Sequence, residues 1–573
     1  MLPDVRLSAV AVAAMSLVIN LLALSGAIYM LQVYDRVLTS QSVPTLVALS
    51  VLVAGLYAAL GVLDVIRGQI LLRIGARFDA VKMPQAFGDV VRRQLEGKAP
   101  HEAVQAVRDV DSVRNFFASA GPVTIADLPW TPIYLVFVSL LNPWLGVATV
   151  FGMLVLVILA ICTEVASRQV EAGVHGSAQA RAMELEAALR NHEVLAAMGM
   201  MPEASDRFLR RHSDVIAGQR RAGDVVVALG GVSKVTRLML QSGVLGLGAY
   251  LALQGELSLG AIVAASIASA RALAPVEQAI VGWRALSEAR SSLARLASLA
   301  DRTSADQQRV ALPLPHSDVS LVQASLVAPS SHRVVLSSVS LELRAGQGVA
   351  VIGSSGAGKS SLARLLAGVW QVTHGSLRLD GAALDQWDPS ERGRFIGYLP
   401  QSIELFPATV AENIARLEDK PNGPEVILAA EAAGLHKLIL ELPHGYDTRI
   451  GPGGIVLSTG QRQLLGLARA LYGRPFLVVL DEPNANLDQE GEAALIGAIE
   501  GIRARGGIAV VIAHRRSVLG ALDTIAVLDA GRLTAFGPKA EVLRKLAGRI
   551  DDAALTAKVA SIDAGVGNRR TSL

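Results

Sequence analysis

Gly353-Ser354-Ser355-Gly356-Ala357-Gly358-Lys359-Ser360 is a complete G-x-x-x-x-G-K-[ST] stretch, and its flanks decide how it folds. Upstream, Gly348-Val349-Ala350-Val351-Ile352 is an apolar run that reads as a buried strand; downstream, Ser361-Leu362-Ala363-Arg364-Leu365-Leu366 reads as a helix start. Glycines between a strand and a helix let successive backbone N–H groups turn into one concavity, and the helix N-terminus adds partial positive charge. Residues 353–361 therefore predict a cradle for a nucleotide's phosphates, with Lys359 meeting the β/γ-phosphates and the Ser360 hydroxyl reaching Mg²⁺.

Working outward, the composition divides the chain. A length of 573 residues predicts more than one domain. Hydrophobic residues make up 51% against 18% charged, and the mean hydropathy of +0.43 is too apolar for an ordinary soluble protein, so a membrane part is expected. The net charge of +3 is small for this length and gives no nucleic-acid surface. Cys162 is the only cysteine, which excludes an internal disulfide and a cysteine-cluster metal site.

A membrane-crossing helix takes about 20 mostly apolar residues. Candidates lie near 9–33, 43–66, 117–140, 143–163, 228–252 and 258–282, six in all, the first being too long for a cleaved leader. The stretch from Arg67 to Arg114 and the stretch after Cys162 are rich in Arg and Lys, while the opposite connections are short and nearly uncharged. By the positive-inside rule the cation-rich stretches and both chain ends face the cytoplasm. The cytoplasmic stretches keep helical periodicity, as from Ala178 to Met198, and predict long helix extensions that turn back through short crossing helices. Lys234 and Arg237 lie near the inner end of the fifth span. Asp127 and Arg271 sit deeper and read either as a polar path or as inter-helix pairing. Pro129 and Pro132 predict a bend in the third span.

The expected organisation is a transmembrane domain over 1–300, a polar linker over 301–317, a nucleotide-binding domain over 318–548 and a polar tail over 549–573. Within the third of these, Gln401 follows the strand-like Phe395–Pro400, and Leu457-Ser458-Thr459-Gly460-Gln461 opens a predicted helix over Gln463–Leu471. Phe476 to Glu482 is an apolar strand ending in Asp481 and Glu482. Asn486-Leu487-Asp488 follows, and His514 closes the strand Ile508–Ala513. A strand ending in two carboxylates sets the first beside Mg²⁺ and the second beside an attacking water, as general base.

Together these motifs resemble the ATP-binding cassette over about 320–548. The resemblance assigns Lys359 and Ser360 to Walker A, Gln401 to the Q-loop, Ser458, Gly460 and Gln461 to the signature, Asp481 and Glu482 to Walker B and the catalytic glutamate, Asp488 to the D-loop and His514 to the switch histidine. It implies catalysis by Glu482 with His514 and Gln401, a metal held by Ser360, Gln401 and Asp481, and a head-to-tail pair of cassettes around two ATP molecules. One cassette and six spans look like a half-transporter that works as a homodimer.

Tyr29-Met30-Leu31-Gln32-Val33-Tyr34-Asp35-Arg36-Val37-Leu38 and Asp127-Leu128-Pro129-Trp130-Thr131-Pro132-Ile133-Tyr134 look like type I secretion ATPases, particularly exporters of proteases and lipases. The implied fold is an all-α transmembrane domain fused to an α/β phosphate-loop ATPase. The implied function is ATP-driven export of an unfolded polypeptide across the bacterial inner membrane, with a periplasmic membrane-fusion adaptor and an outer-membrane channel. A lipid or drug exporter of the same architecture is the alternative. Thr459 stands where the signature usually has glycine, and Ala328 where many cassettes place an aromatic ring on adenine. Pro452 stands where a glutamate often precedes the signature.

Overall fold

The computed structural model describes residues 3–97, 104–303, 312–329, 331, 333–389, 391–513 and 517–545. His514, the tail 549–573 and residues 304–311 of the linker lie outside these residues. Two compact units result, one up to Thr303 and one from Leu312 onward.

The first unit is helical. Its elements are α1 (Pro3–Ala23), α2 (Ser25–Gln32), α3 (Val43–Leu95), α4 (Gln105–Ala118), α5 (Gly121–Asp127), α6 (Thr131–Leu141), α7 (Pro143–Arg190), α8 (His192–Ala197), α9 (Met201–Leu253) and α10 (Leu259–Thr303). Helices α3, α7, α9 and α10 far exceed a bilayer's span, as the extended periodicity predicts, and α8 is a short crossing helix between α7 and α9. The third span changes from α to 3₁₀ at Leu128–Trp130 and resumes as α6, because Pro129 and Pro132 offer no N–H to the ladder.

Five helical stretches among the described residues are long and apolar enough to cross a membrane: Leu7–Ser40, Val43–Leu95, Gly121–Leu141, Pro143–Thr163 and Leu259–Gln278. The fifth expected span, 228–252, lies on the unbroken helix α9 but falls short of that mark. Lys234, Arg237 and Gln241 dilute its apolar face.

Alanines let the helices approach closely. Ala264, Ala265, Ala268 and Ala272 of α10 are buried against Ala27, Tyr134, Val138, Leu145 and Val244, the small-residue packing that helices in lipid use. At the other end, the chain passes from α2 into a π-turn at Val33–Val37 that carries Asp35. Its carboxylate accepts from Gly260 N at 2.8 Å and from Ser258 Oγ at 2.5 Å, capping the start of α10 from a distant part of the chain.

Asp127 resolves as inter-helix pairing. Arg67 is 3% exposed, and its guanidinium donates to Asp127 at 2.7 Å, Asp64 at 2.6 Å and Ser16 at 2.9 Å. Asn20 donates to the same Asp127 oxygen at 3.1 Å, and the Tyr134 hydroxyl donates to Asn20. Arg271 is exposed. Arg237 lies 2.6 Å from Glu277 of α10, so it pairs across helices rather than reaching outward.

The second unit is α/β. Its strands are β1 (Asp318–Val327), β2 (Val334–Arg344), β3 (Gly348–Gly353), β4 (His374–Leu379), β5 (Ala382–Ala383), β6 (Ile396–Leu399), β7 (Ala408–Thr409), β8 (Arg449–Ile450), β9 (Leu477–Asp481), β10 (Ile508–Ile512), β11 (Thr524–Asp529) and β12 (Arg532–Pro538). Its helices of five residues or more are α11 (Lys359–Leu366), α12 (Val410–Ile414), α13 (Gly423–Ala432), α14 (His436–Leu440), α15 (Thr459–Leu471) and α16 (Gln489–Ala504).

The main sheet runs β12-β11-β3-β10-β9-β6, parallel except for the edge strand β12; an antiparallel sheet β2-β1-β4-β5 lies apart from it. Both faces of the central strands are buried. Val349 and Val351 pack on one side with β1 and β2, and Ala350 packs on the other with α15 and α16; β9 and β10 alternate in the same way. This explains why these strands read as continuous apolar runs rather than alternating ones.

Candidate active site

The phosphate loop leaves β3 at Gly353 and enters α11 at Lys359. Glycine is required at both ends. A Cβ on Gly353 would lie 2.2 Å from the Leu528 carbonyl, and Gly358 holds a left-handed φ of +99° with the Val335 carbonyl 2.9 Å from any added Cβ. Gly356 is also left-handed, and Ser354, Ser355 and Gly356 are exposed while Ala357 is buried. Lys359 is 7% exposed, and its ammonium donates to the carbonyls of Gly353 and Ser354, each at 2.9 Å. The positive charge thus sits inside the loop, where phosphate oxygens would replace those carbonyls. Ser361 follows on α11, half-buried.

Strand order brings the carboxylates to this loop. β10 lies between β3 and β9, and β9 ends at Asp481. Ser360 Oγ donates to Asp481 Oδ1 at 3.2 Å, while Asp481 Oδ2 is buried without a hydrogen-bond partner. Burial pushes the Asp481 carboxyl above the usual carboxylate range, the adjacent Glu482 charge adds to this, and the Ser360 hydrogen bond and the Arg364 and Lys359 charges oppose it. A hydroxyl beside a carboxylate that keeps one unpartnered buried oxygen is a hard-oxygen donor set of the kind Mg²⁺ takes.

Glu482 holds φ at +52°, a left-handed conformation that costs a side-chain-bearing residue about 1–2 kcal/mol. Gln401, just beyond β6, donates from Nε2 to Glu482 Oε2 at 3.1 Å. Phosphate loop, Asp481, Glu482 and Gln401 are therefore gathered in one chain.

The signature residues lie elsewhere. Ser458 caps α15 by accepting from Gln461 N at 3.2 Å, and the Gln461 side chain accepts from Ser458 N at 2.9 Å, a reciprocal capping box. A Cβ on Gly460 would stand 2.9 Å from the Asn486 carbonyl. Asp488 caps α16 by accepting from Gly491 N at 2.8 Å. Among the described residues no hydrogen bond joins Ser458, Gly460 or Gln461 to the phosphate loop, and Ser458 and Thr459 are exposed. Ala328 is buried and brings no ring to the site.

One residue escaped the sequence reading. Gln463 of α15 is 3% exposed and donates from Nε2 to the Pro483 carbonyl at 3.0 Å, with the Glu482 carbonyl at 3.5 Å. It holds the backbone on which Glu482 takes its left-handed turn. The available signal was an amide on the apolar face of a short helix.

A helical membrane region joined to this cassette defines the class: an ABC transporter. Residues 336–485 match the ABC transporter family and 10–273 the ABC transporter transmembrane region. The type I secretion system ATP-binding protein PrsD of Rhizobium meliloti is 45% identical over 95% of this chain and 93% of its own length. The leukotoxin translocation ATP-binding protein LktB of Mannheimia haemolytica is 27% identical over 92% of this chain and 75% of its own. A bacterial Atm1-family ABC exporter solved with ATP bound superposes with a TM-score of 0.80 at 22% identity, covering 95% of this chain and 97% of that one, a likeness of fold. The chain belongs to the ABC transporter family, among its type I secretion ATP-binding proteins, and is an ATP-driven type I secretion exporter.

Proposed function

We propose that two copies of this chain in the bacterial inner membrane use ATP to move an unfolded polypeptide out of the cytoplasm, together with a periplasmic adaptor and an outer-membrane channel. The polypeptide is of the protease or lipase type with a C-terminal signal. Similarity to PrsD, a type I secretion system ATP-binding protein, supports secretion with an adaptor and an outer-membrane channel. Both termini and the cassette lie on the cytoplasmic side.

In each cassette the loop 353–361 binds the ATP phosphates, with Lys359 turning from its two loop carbonyls to phosphate oxygen. Ser360, Asp481 and Gln401 hold Mg²⁺, which when bound offsets phosphate charge. Glu482, held by Gln401 and Gln463, takes a proton from the attacking water, and His514 acts as the switch histidine that its sequence motif implies. Ser458, exposed at the start of α15, and the half-buried Gly460 and Gln461 close over the ATP of the second copy, with Asp488 alongside. The observation that carries this reading is the Ser360–Asp481 bond beside Lys359, on a strand that continues into a strained Glu482.

The test is Glu482→Gln in purified protein reconstituted in lipid. ATP binding is retained and turnover falls by about 10²–10⁴-fold; steady-state hydrolysis at the native rate would remove Glu482 from its role.

A further inference from the structure

At the end of α15 away from Ser458, the guanidinium of Arg416 is inserted among four backbone carbonyls. Nε donates to Arg469 O at 3.0 Å, Nη2 to Ala470 O at 3.2 Å and Tyr472 O at 3.0 Å, and Nη1 to Gly393 O. Three of these acceptors are the closing turn of α15 and its cap; the fourth belongs to the turn that precedes β6. Burial depresses the guanidinium's pKa, and the Glu418 carboxylate, whose charge opposes that shift, takes a hydrogen bond from the Tyr472 hydroxyl at 2.8 Å. Arg416 and Leu417 both hold left-handed φ values, +59° and +64°, a rare pairing for two residues with side chains. Such a backbone persists only where its surroundings fix it, and here the guanidinium's carbonyls do so.

The strand leading to Gln401 meets the same end of α15. A Cβ on Gly397 would lie 2.1 Å from the Ala470 carbonyl, so only glycine permits the approach. Beyond Gln401, Arg469 of α15 donates to the Glu404 carbonyl at 3.2 Å. Both flanks of Gln401 are thereby fastened to the C-terminal turn of α15, where a cation also complements the helix dipole.

We propose that Arg416 is a positioning residue for ATP hydrolysis: it makes α15 and the segment carrying Gln401 one rigid body, so that Ser458 and Gly460 move only when Gln401 moves. A helix of 13 residues is about 20 Å long, and a displacement imposed at its clasped end is reproduced at its cap. Gln401 bonds Glu482, so the state of one ATP site sets where the signature is presented to the other. This rests on the two-copy reading above.

The test uses the full chain in lipid nanodiscs, with Arg416→Lys, which keeps the charge and loses the planar fork, and Arg416→Ala. ATP affinity stays within about twofold, because the phosphate loop is untouched, while kcat falls about tenfold or more. In a Glu482→Gln background, ATP-driven cassette association shifts to about tenfold higher ATP on adding Arg416→Lys. Free guanidinium ion restores kcat in part to Arg416→Ala and not to Arg416→Lys. The proposal is overturned if folded Arg416→Lys keeps native kcat and association, or if affinity, kcat and Tm fall together without rescue by guanidinium. If Glu482→Gln with Arg416 intact shows no ATP-driven association, the two-copy reading fails first and this one with it.

Discussion

Ser360 donates a hydrogen bond from its hydroxyl to one oxygen of Asp481, and the other oxygen of that carboxylate is buried without a donor. The site therefore holds a buried carboxylate whose desolvation the Ser360 hydrogen bond and the Arg364 and Lys359 charges offset only in part.

Asp481→Asn should stabilise the nucleotide-free protein. With its carboxyl raised by burial, Asp481 contributes stability that is full below the unfolded carboxylate range near pH 4 and is lost as pH rises through the higher folded value. At neutral pH the ionised group is a cost, and its removal should raise Tm by about 2–4 °C per ~1 kcal/mol recovered. Calorimetry without nucleotide checks this, and Mg-ATP should stabilise the native protein while leaving the variant nearly unmoved. A lower Tm for the variant at neutral pH would show that the carboxylate is compensated.

Gln463→Leu removes the amide that donates to the Pro483 and Glu482 carbonyls. Two buried acceptors lose their donor, so unfolding free energy should drop by about 1–3 kcal/mol. Glu482 also loses its support, and kcat should fall by about 10–100-fold with ATP affinity preserved. Steady-state kinetics beside equilibrium nucleotide binding separate the two; unchanged kcat would assign Gln463 to stability alone.

Sequence periodicity exposed what is local. The phosphate loop, the strand ending at Asp481 and the long extensions of α7 and α9 follow from runs of neighbouring residues. Contacts made between distant backbone groups left no such trace. Gln463 and Arg416 bond carbonyls on other segments, so neither falls in a motif. Arg67 stands one residue beyond the expected span 43–66 and reads as one more cytoplasmic cation, yet it is buried against Ser16 and Asp127. The span near 228–252 was visible as an apolar stretch, and the pairing of Arg237 with Glu277 explains how it tolerates a charge.

The Arg67–Asp127 pair yields its own prediction. Arg67→Met strands Asp127 among helices with only Asn20 as partner, and should destabilise the membrane unit by about 3–5 kcal/mol. Adding Asp127→Leu should recover much of that loss, because an apolar pair replaces the charges. Detergent thermal denaturation of the single and double variants measures it; additive losses would mean that the two residues act independently.

If two copies work together as proposed, ATP draws the exposed start of α15 on one copy over the phosphate loop of another. Cys162 is the only cysteine, so a Cys162→Ser background allows Ser355→Cys and Thr459→Cys to report on each other alone. Oxidation of that protein in lipid, with ATP under conditions that block hydrolysis, should give a disulfide-linked pair of chains that is absent without nucleotide. Full ATP hydrolysis by the same protein with no intermolecular disulfide at any ATP concentration would contradict the account.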